Sequence, residues 1–126
     1  MRHGITFDTG ALIALERRSQ RARRIVERAA ELRVRIVVPA VIMTEWWRGR
    51  TDLRVKIAAA VLVEPLSDAL ARLAGEAVAA VKSATAVDAI LMASAAQRGD
   101  LVYTSDVEDL ERLRSFFPAV RVLAIS

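Results

Sequence analysis

The sequence predicts an α/β fold with a mostly parallel central sheet. Short apolar runs alternate along the chain with longer stretches of helical periodicity, the pattern of strands joined by helical crossovers. Serine, threonine, proline and glycine fall where the helices would start and stop. Of the 126 residues, 54% are hydrophobic and only 5% aromatic, enough for one core that is mostly aliphatic and rich in alanine.

Residues 4–7 read as the first strand. A helix follows Asp8, Thr9 and Gly10, and a second, rich in arginine, covers residues 19–33. Residues 35–38 form the next strand. Pro39 suits the first position of a helix, and Gly49 its stop. Residues 52–61 make another helix, leading to a short strand at 62–64. Pro65 breaks the chain, and Ser67 caps a helix that runs to about residue 83. Residues 85–98 are a helix closed by Gly99, 101–104 a strand, and 106–115 a helix. Pro118 ends that segment before a last strand at 120–123. With no linker, repeat or low-complexity tract, residues 1–126 are expected to form a single domain.

Composition narrows the chemistry. There is no cysteine, which excludes disulfides and thiolate metal sites, and the single histidine, His3, cannot build a histidine zinc site. Any metal must be held by oxygen, which points to magnesium or manganese. A net charge of +4, a pI near 10.6 and a strong bias to arginine suit a polyanion such as RNA or an acidic protein partner. No apolar run reaches the ~18 residues of a membrane span, and Asp8 and Glu16 interrupt the start before a signal-peptide core can form. The expected compartment is the cytoplasm.

Most of the 15 acidic residues lie among arginines on polar helical faces, as Glu16, Glu27 and Glu31 do, and read as solvated or paired. Four stand apart. Asp8 is the only charge between His3 and Glu16 and falls at the carboxyl end of the first strand, where open α/β sheets bind ligands. Asp8 or Thr9 would also suit the cap of the next helix. Glu45 is the only charge between Arg35 and Arg48, and it shares a helical face with Val41 and Ile42. A carboxylate projecting from that face needs a cation, and Arg48 is its simplest partner. Asp88 sits in a helix that is apolar on nearly every side and so should be buried, although Thr85 and Asp88 also have the spacing of a capping box. Asp106 follows the strand at 101–104, where Ser105 and Glu108 make a capping box without it; Asp109 lies on the same face. Like charges gathered in one small domain make sense around a divalent cation, which can activate water for phosphodiester cleavage.

At these residues the sequence resembles the PIN-domain nucleases, and in size and layout the VapC-type toxins of toxin–antitoxin pairs. The matching blocks are Phe7 to Ala11, Glu45 on a helix near one third of the chain, Thr85 to Ala93, and Leu101 to Asp106, with Asp109 in the position of a frequent extra acid. They occur in the family's order over essentially the whole chain. The resemblance implies a three-layer α/β/α sandwich and a magnesium- or manganese-dependent endoribonuclease with Asp8, Glu45, Asp88 and Asp106 as its acidic quartet. Asp8, Asp88 and Asp106 would be the metal ligands and Thr104 a supporting polar residue. It also implies a structured RNA substrate such as tRNA, a homodimer, and a cognate antitoxin that covers the site. Arg17 and Arg18 after the first acid, and Arg48 after Glu45, would then grip phosphates. One of Trp46 and Trp47 is expected to pack inward. The competing reading is a catalytically silent RNA- or protein-binding module on the same fold.

Overall fold

A computed structural model describes residues 3–126. Its sheet has five strands, β1 (Ile5–Phe7), β2 (Ile36–Pro39), β3 (Leu62–Glu64), β4 (Leu101–Thr104) and β5 (Arg121–Ala124). All pairs are parallel, in the order β3-β2-β1-β4-β5. Seven helices connect them among the described residues: α1 (Thr9–Glu16), α2 (Gln20–Leu32), α3 (Ala40–Trp46), α4 (Asp52–Ala59), α5 (Asp68–Ala80), α6 (Ala86–Arg98) and α7 (Val107–Leu113). Every residue of β1 and β2 is buried, so both faces of the sheet are covered. This is the α/β/α sandwich expected from the sequence. Edge strand β3 leaves Leu62 and Val63 exposed.

The helix that the sequence marks as apolar all round, α6, is the central one. Residues 89–95 are all buried, and the helix packs on β1, β2, β4 and α5. Thr85 caps its start, and Gly99, at φ 72°, closes its end in the left-handed conformation. No helix among the described residues is long and apolar enough to cross a membrane.

Three helix boundaries depart from expectation: α5 ends at Ala80, three residues before the expected 83, and two others have a visible structural cause. The helix after Pro39 stops at Trp46, three residues short of Gly49. Trp46 is drawn inward by an indole bond to Glu16 (Nε1 to Oε1, 2.8 Å), while Gly49 bends at φ 110° and gives its carbonyl to Arg54. The last helix is capped not by a Ser105–Glu108 box but by Asp106, whose Oδ1 accepts the Asp109 N–H at 3.4 Å.

A polar cluster inside the core carries no local mark in the sequence. Arg98, in the last turn of α6, donates to Asp100 (Nε to Oδ2, 2.8 Å), to Thr6 (2.9 Å) and to Glu64 (2.5 Å). Ser94 donates to the other oxygen of Glu64 at 2.6 Å, and Thr6 donates to Asp100 Oδ2 at 2.9 Å. One guanidinium thereby ties α6 to β1, to β3 and to the turn before β4. Asp100 Oδ1 is buried without a hydrogen-bond partner among the described residues and lies against Gly4, where a Cβ would come within 2.5 Å of it.

Candidate active site

Strand order sets the location. The chain lays down β1, β2 and β3 toward one edge, then crosses to place β4 and β5 on the other side of β1. The reversal leaves a crevice beyond the carboxyl ends of β1 and β4, the usual ligand position in such sheets. Phe7 and Tyr103 are register partners, so Asp8 and Thr104 come side by side.

Asp8 is the N-cap of α1, and both of its oxygens are engaged. Oδ1 accepts the Ala11 N–H at 2.8 Å, and Oδ2 accepts a short hydrogen bond from the Thr104 hydroxyl. The Asp106 N–H donates to that same hydroxyl at 2.9 Å. Gly10 presses on the following turn: a Cβ there would lie 2.7 Å from Ser105 Cβ, so only glycine lets the two loops meet this closely.

Asp88 stands in the first turn of α6, half-buried. Its backbone N–H donates to Thr85 Oγ1 at 3.2 Å. Glu45, in the last turn of α3, is exposed rather than buried, and the Thr9 hydroxyl donates to its Oε1 at 2.6 Å. Arg48 does not pair with the Glu45 carboxylate; its Nε donates to the Glu45 carbonyl at 3.0 Å. A concavity of about 520 Å³ is bordered by Asp8, Thr9, Glu45, Arg48 and Asp88. Asp106 is not in its lining: exposed, it caps α7 and accepts the backbone N–H of Asp109, whose carboxylate forms an ion pair with Arg112.

Electrostatics links these acids. Burial pushes the Asp8 carboxyl above its usual range, against hydrogen bonds from Thr104 and Ala11, and the Asp88 charge pushes it further. Asp88 is also raised, first by burial and then by Asp109, Asp106 and Glu45, while hydrogen bonding with Thr85 works the other way. Asp106 is raised mainly because it shares hydrogen bonding with Asp109, which is lowered by the same contact and by Arg112. No lysine or arginine forms an ion pair with Asp8 or Asp88 among the described residues.

The donor set is therefore all carboxylate and negative, which fits a hard divalent cation. Among the described residues, however, no three carboxylate or imidazole side chains converge closely enough to hold one as they stand. Asp106, exposed and capping α7, is not in the lining of the concavity that Asp8, Glu45 and Asp88 border, although its charge reaches Asp88.

Arg17 lies on an adjoining concavity with Arg48, whereas exposed Arg18, in a left-handed turn at φ 59°, borders neither. Trp46 is buried and Trp47 is 37% exposed. Glu16, which the sequence reading dismissed, is half-buried between Trp46 and Arg54, with an Arg54 Nε–Oε2 distance of 3.0 Å. Its position three and four residues after Ile13 and Leu12, on their face, is the signal that could have found it.

Thr104→Val keeps the strand but removes both the donor to Asp8 and the acceptor for Asp106 N–H. The expected result is a folded protein, about 1–3 kcal/mol less stable, with metal affinity or activity lowered roughly 10–100-fold. Urea denaturation and a manganese titration check the two halves separately.

Residues 5–115 match the family described as PIN domain. Among solved structures, the chain is similar to the DNA-bound VapBC of Salmonella typhimurium, with 14% identity, coverage of 99% of this chain and 100% of that chain, and a TM-score of 0.74. It is also similar to VapBC2 of Rickettsia felis bound to a promoter DNA fragment, with 11% identity, coverage of 95% and 97%, and a TM-score of 0.74. A third is a toxin–antitoxin complex from Klebsiella pneumoniae, with 16% identity, coverage of 98% of each chain, and a TM-score of 0.68. At these identities the likeness speaks to the fold. A sequence comparison with curated proteins gives no match.

Proposed function

The chain belongs to the PIN domain family, and we propose that it is a metal-dependent endoribonuclease acting as the toxin of a toxin–antitoxin pair. The observation that carries this reading is the meeting of Asp8, from the end of β1, and Asp88, from α6, at one concavity where burial raises both, the Asp88 charge raises Asp8 further, and no lysine or arginine forms an ion pair with either among the described residues. Nuclease activity, general in this family, needs such a site.

These carboxylates would hold magnesium or manganese, which would supply Lewis-acid chemistry and lower the pKa of a water for hydrolysis of a phosphodiester. Asp8 and Asp88 would hold the ion, directly or through water. Thr104 and the Ala11 N–H keep the Asp8 carboxylate from turning. Glu45, steadied by Thr9, would bind the ion's water or take its proton. Asp106 and Asp109 add negative potential beside Asp88. The substrate proposed is RNA, tRNA or another structured species, drawn by the arginine surface and held by Arg48 and Arg17, with Arg18 at most a distant contact. An antitoxin as protein partner is supported by the toxin–antitoxin complexes among the similar structures. A homodimer, a cytoplasmic location and one nuclease domain over residues 1–126 complete the proposal.

The test is incubation of the purified protein with total tRNA and a generic RNA, with magnesium or manganese, with and without EDTA. Cleavage that needs the metal, stops in EDTA and returns on adding excess ion is the expected outcome. RNA binding without cleavage or metal binding would overturn the enzyme in favour of a silent binding module.

A further inference from the structure

The acidic concavity opens into a second one of about 270 Å³, which shares Ile13, Glu45 and Arg48 with it and extends to Glu16, Arg17 and Arg54. The floor of this second concavity is fixed. Glu16 gives one oxygen to the Trp46 indole at 2.8 Å and the other to Arg54 at 3.0 Å, and Arg54 also holds the Gly49 carbonyl at 2.9 Å. Glu16 and Arg54 therefore neutralise one another. Arg17 and Arg48 are different: both are exposed, and neither forms an ion pair among the described residues. Arg48 lies with Ile13 and Glu45 at the boundary of the two concavities, its Nε donating to the Glu45 carbonyl at 3.0 Å.

Next to the acidic concavity there is thus a recess whose floor is an ion pair and whose unpaired charges are the guanidiniums of Arg17 and Arg48 and, on the side shared with the acidic concavity, the Glu45 carboxylate that accepts the Thr9 hydroxyl, a balance that favours an anion. Guanidinium is a preferred partner of phosphate oxygens, and a recess of this size has room for one unpaired base and not for a duplex. We infer that the second concavity is a nucleotide subsite. It takes the nucleotide next to the scissile phosphate in a single-stranded segment of RNA, with Arg48 and Arg17 on its phosphate and its base between Ile13 and the Glu16–Arg54 floor. The placement of the scissile bond rests on the ribonuclease reading of the acidic concavity; the nucleotide subsite itself does not.

The experiment is equilibrium binding of a labelled single-stranded oligoribonucleotide in EDTA to Asp8→Asn protein, at several salt concentrations. Arg17→Ala is the informative variant, because Arg17 borders the second concavity and not the acidic one. It is expected to weaken binding about tenfold and to reduce the slope of log affinity against log salt by about 0.7, one phosphate contact on a single strand. Arg17→Lys should recover part of the affinity. Arg24→Ala, exposed on α2 and bordering neither concavity, should change neither quantity. Equal effects of Arg17→Ala and Arg24→Ala, or an unchanged salt slope, would overturn the subsite and leave the two arginines to a protein partner. Metal-dependent cleavage is scored separately on wild type: its absence sinks the nuclease while an Arg17-specific loss of RNA binding still upholds the subsite.

Discussion

Asp8→Asn is expected to abolish RNA cleavage and, at the same time, to raise the melting temperature of the metal-free protein. Loss of one charged ligand from an all-carboxylate site costs several kcal/mol of transition-state stabilisation, roughly 10³-fold in rate. Asparagine is as good a helix cap as aspartate, so the Ala11 N–H keeps its acceptor and α1 its start. The sign of the stability change follows from linkage. The folded pKa of Asp8 lies above its ordinary 3.8, so its contribution to stability is fully present below that value and is lost as pH rises through the folded one. At neutral pH the wild type carries a buried, repelled carboxylate; the variant does not. A gain of roughly 2–5 °C near pH 7, shrinking as pH falls toward 4, is the expected pattern in EDTA. Parallel melting curves and gel assays across that range decide it. A variant that still cleaves, or one that melts lower at neutral pH and the same at pH 4, would contradict the assignment of Asp8 as an unpaired site carboxylate.

The largest loss of stability is expected from Arg98→Met. The Arg98 side chain is 12% exposed and its partner Asp100 only 1%, so removing the guanidinium leaves a carboxylate in the core with no counter-charge. Breaking a buried ion pair from one side costs about 3–5 kcal/mol, which for a chain of this size lowers the melting temperature by roughly 10–20 °C. Thr6 and Glu64 lose a donor in the same step. The loss belongs to the unpaired charges rather than to the bonds themselves, and a second variant separates the two. Adding Glu64→Gln and Asp100→Asn to Arg98→Met should recover much of the deficit, because neutral amides need no counter-ion. Urea midpoints of the single and triple variants give the comparison. If the triple variant is less stable than the single one, hydrogen bonding and not charge is what the cluster contributes.

These two residues differ in how far the sequence disclosed them. Asp8 was conspicuous because it is a lone charge in an apolar stretch at a strand end, and the same contrast marked Asp88 inside α6. Periodicity and punctuation likewise placed the strands and helices, since a helix buried on every side or a strand buried at every position must be written in local apolar residues. The end of α3 was not legible, because Trp46 stops the helix by bonding to Glu16, 30 residues earlier in the chain.

Arg98 carried no such mark: an arginine just before a helix-closing glycine suits a solvated last turn, and nothing local tells of Thr6, 92 residues away. The same limit applies to Thr104, whose hydroxyl joins Asp8 to Asp106 only because β1 and β4 are neighbours in the sheet. Asp106 shows it in reverse. Its strand-end position pointed to the concavity, yet its Oδ1 serves the N–H of Asp109 and it stands outside the lining. Which residues oppose water and which oppose each other's charge was readable in the chain. Where each polar atom found its partner depended on strand order and helix packing, because a hydrogen bond is made across a few ångströms of space and not along the sequence.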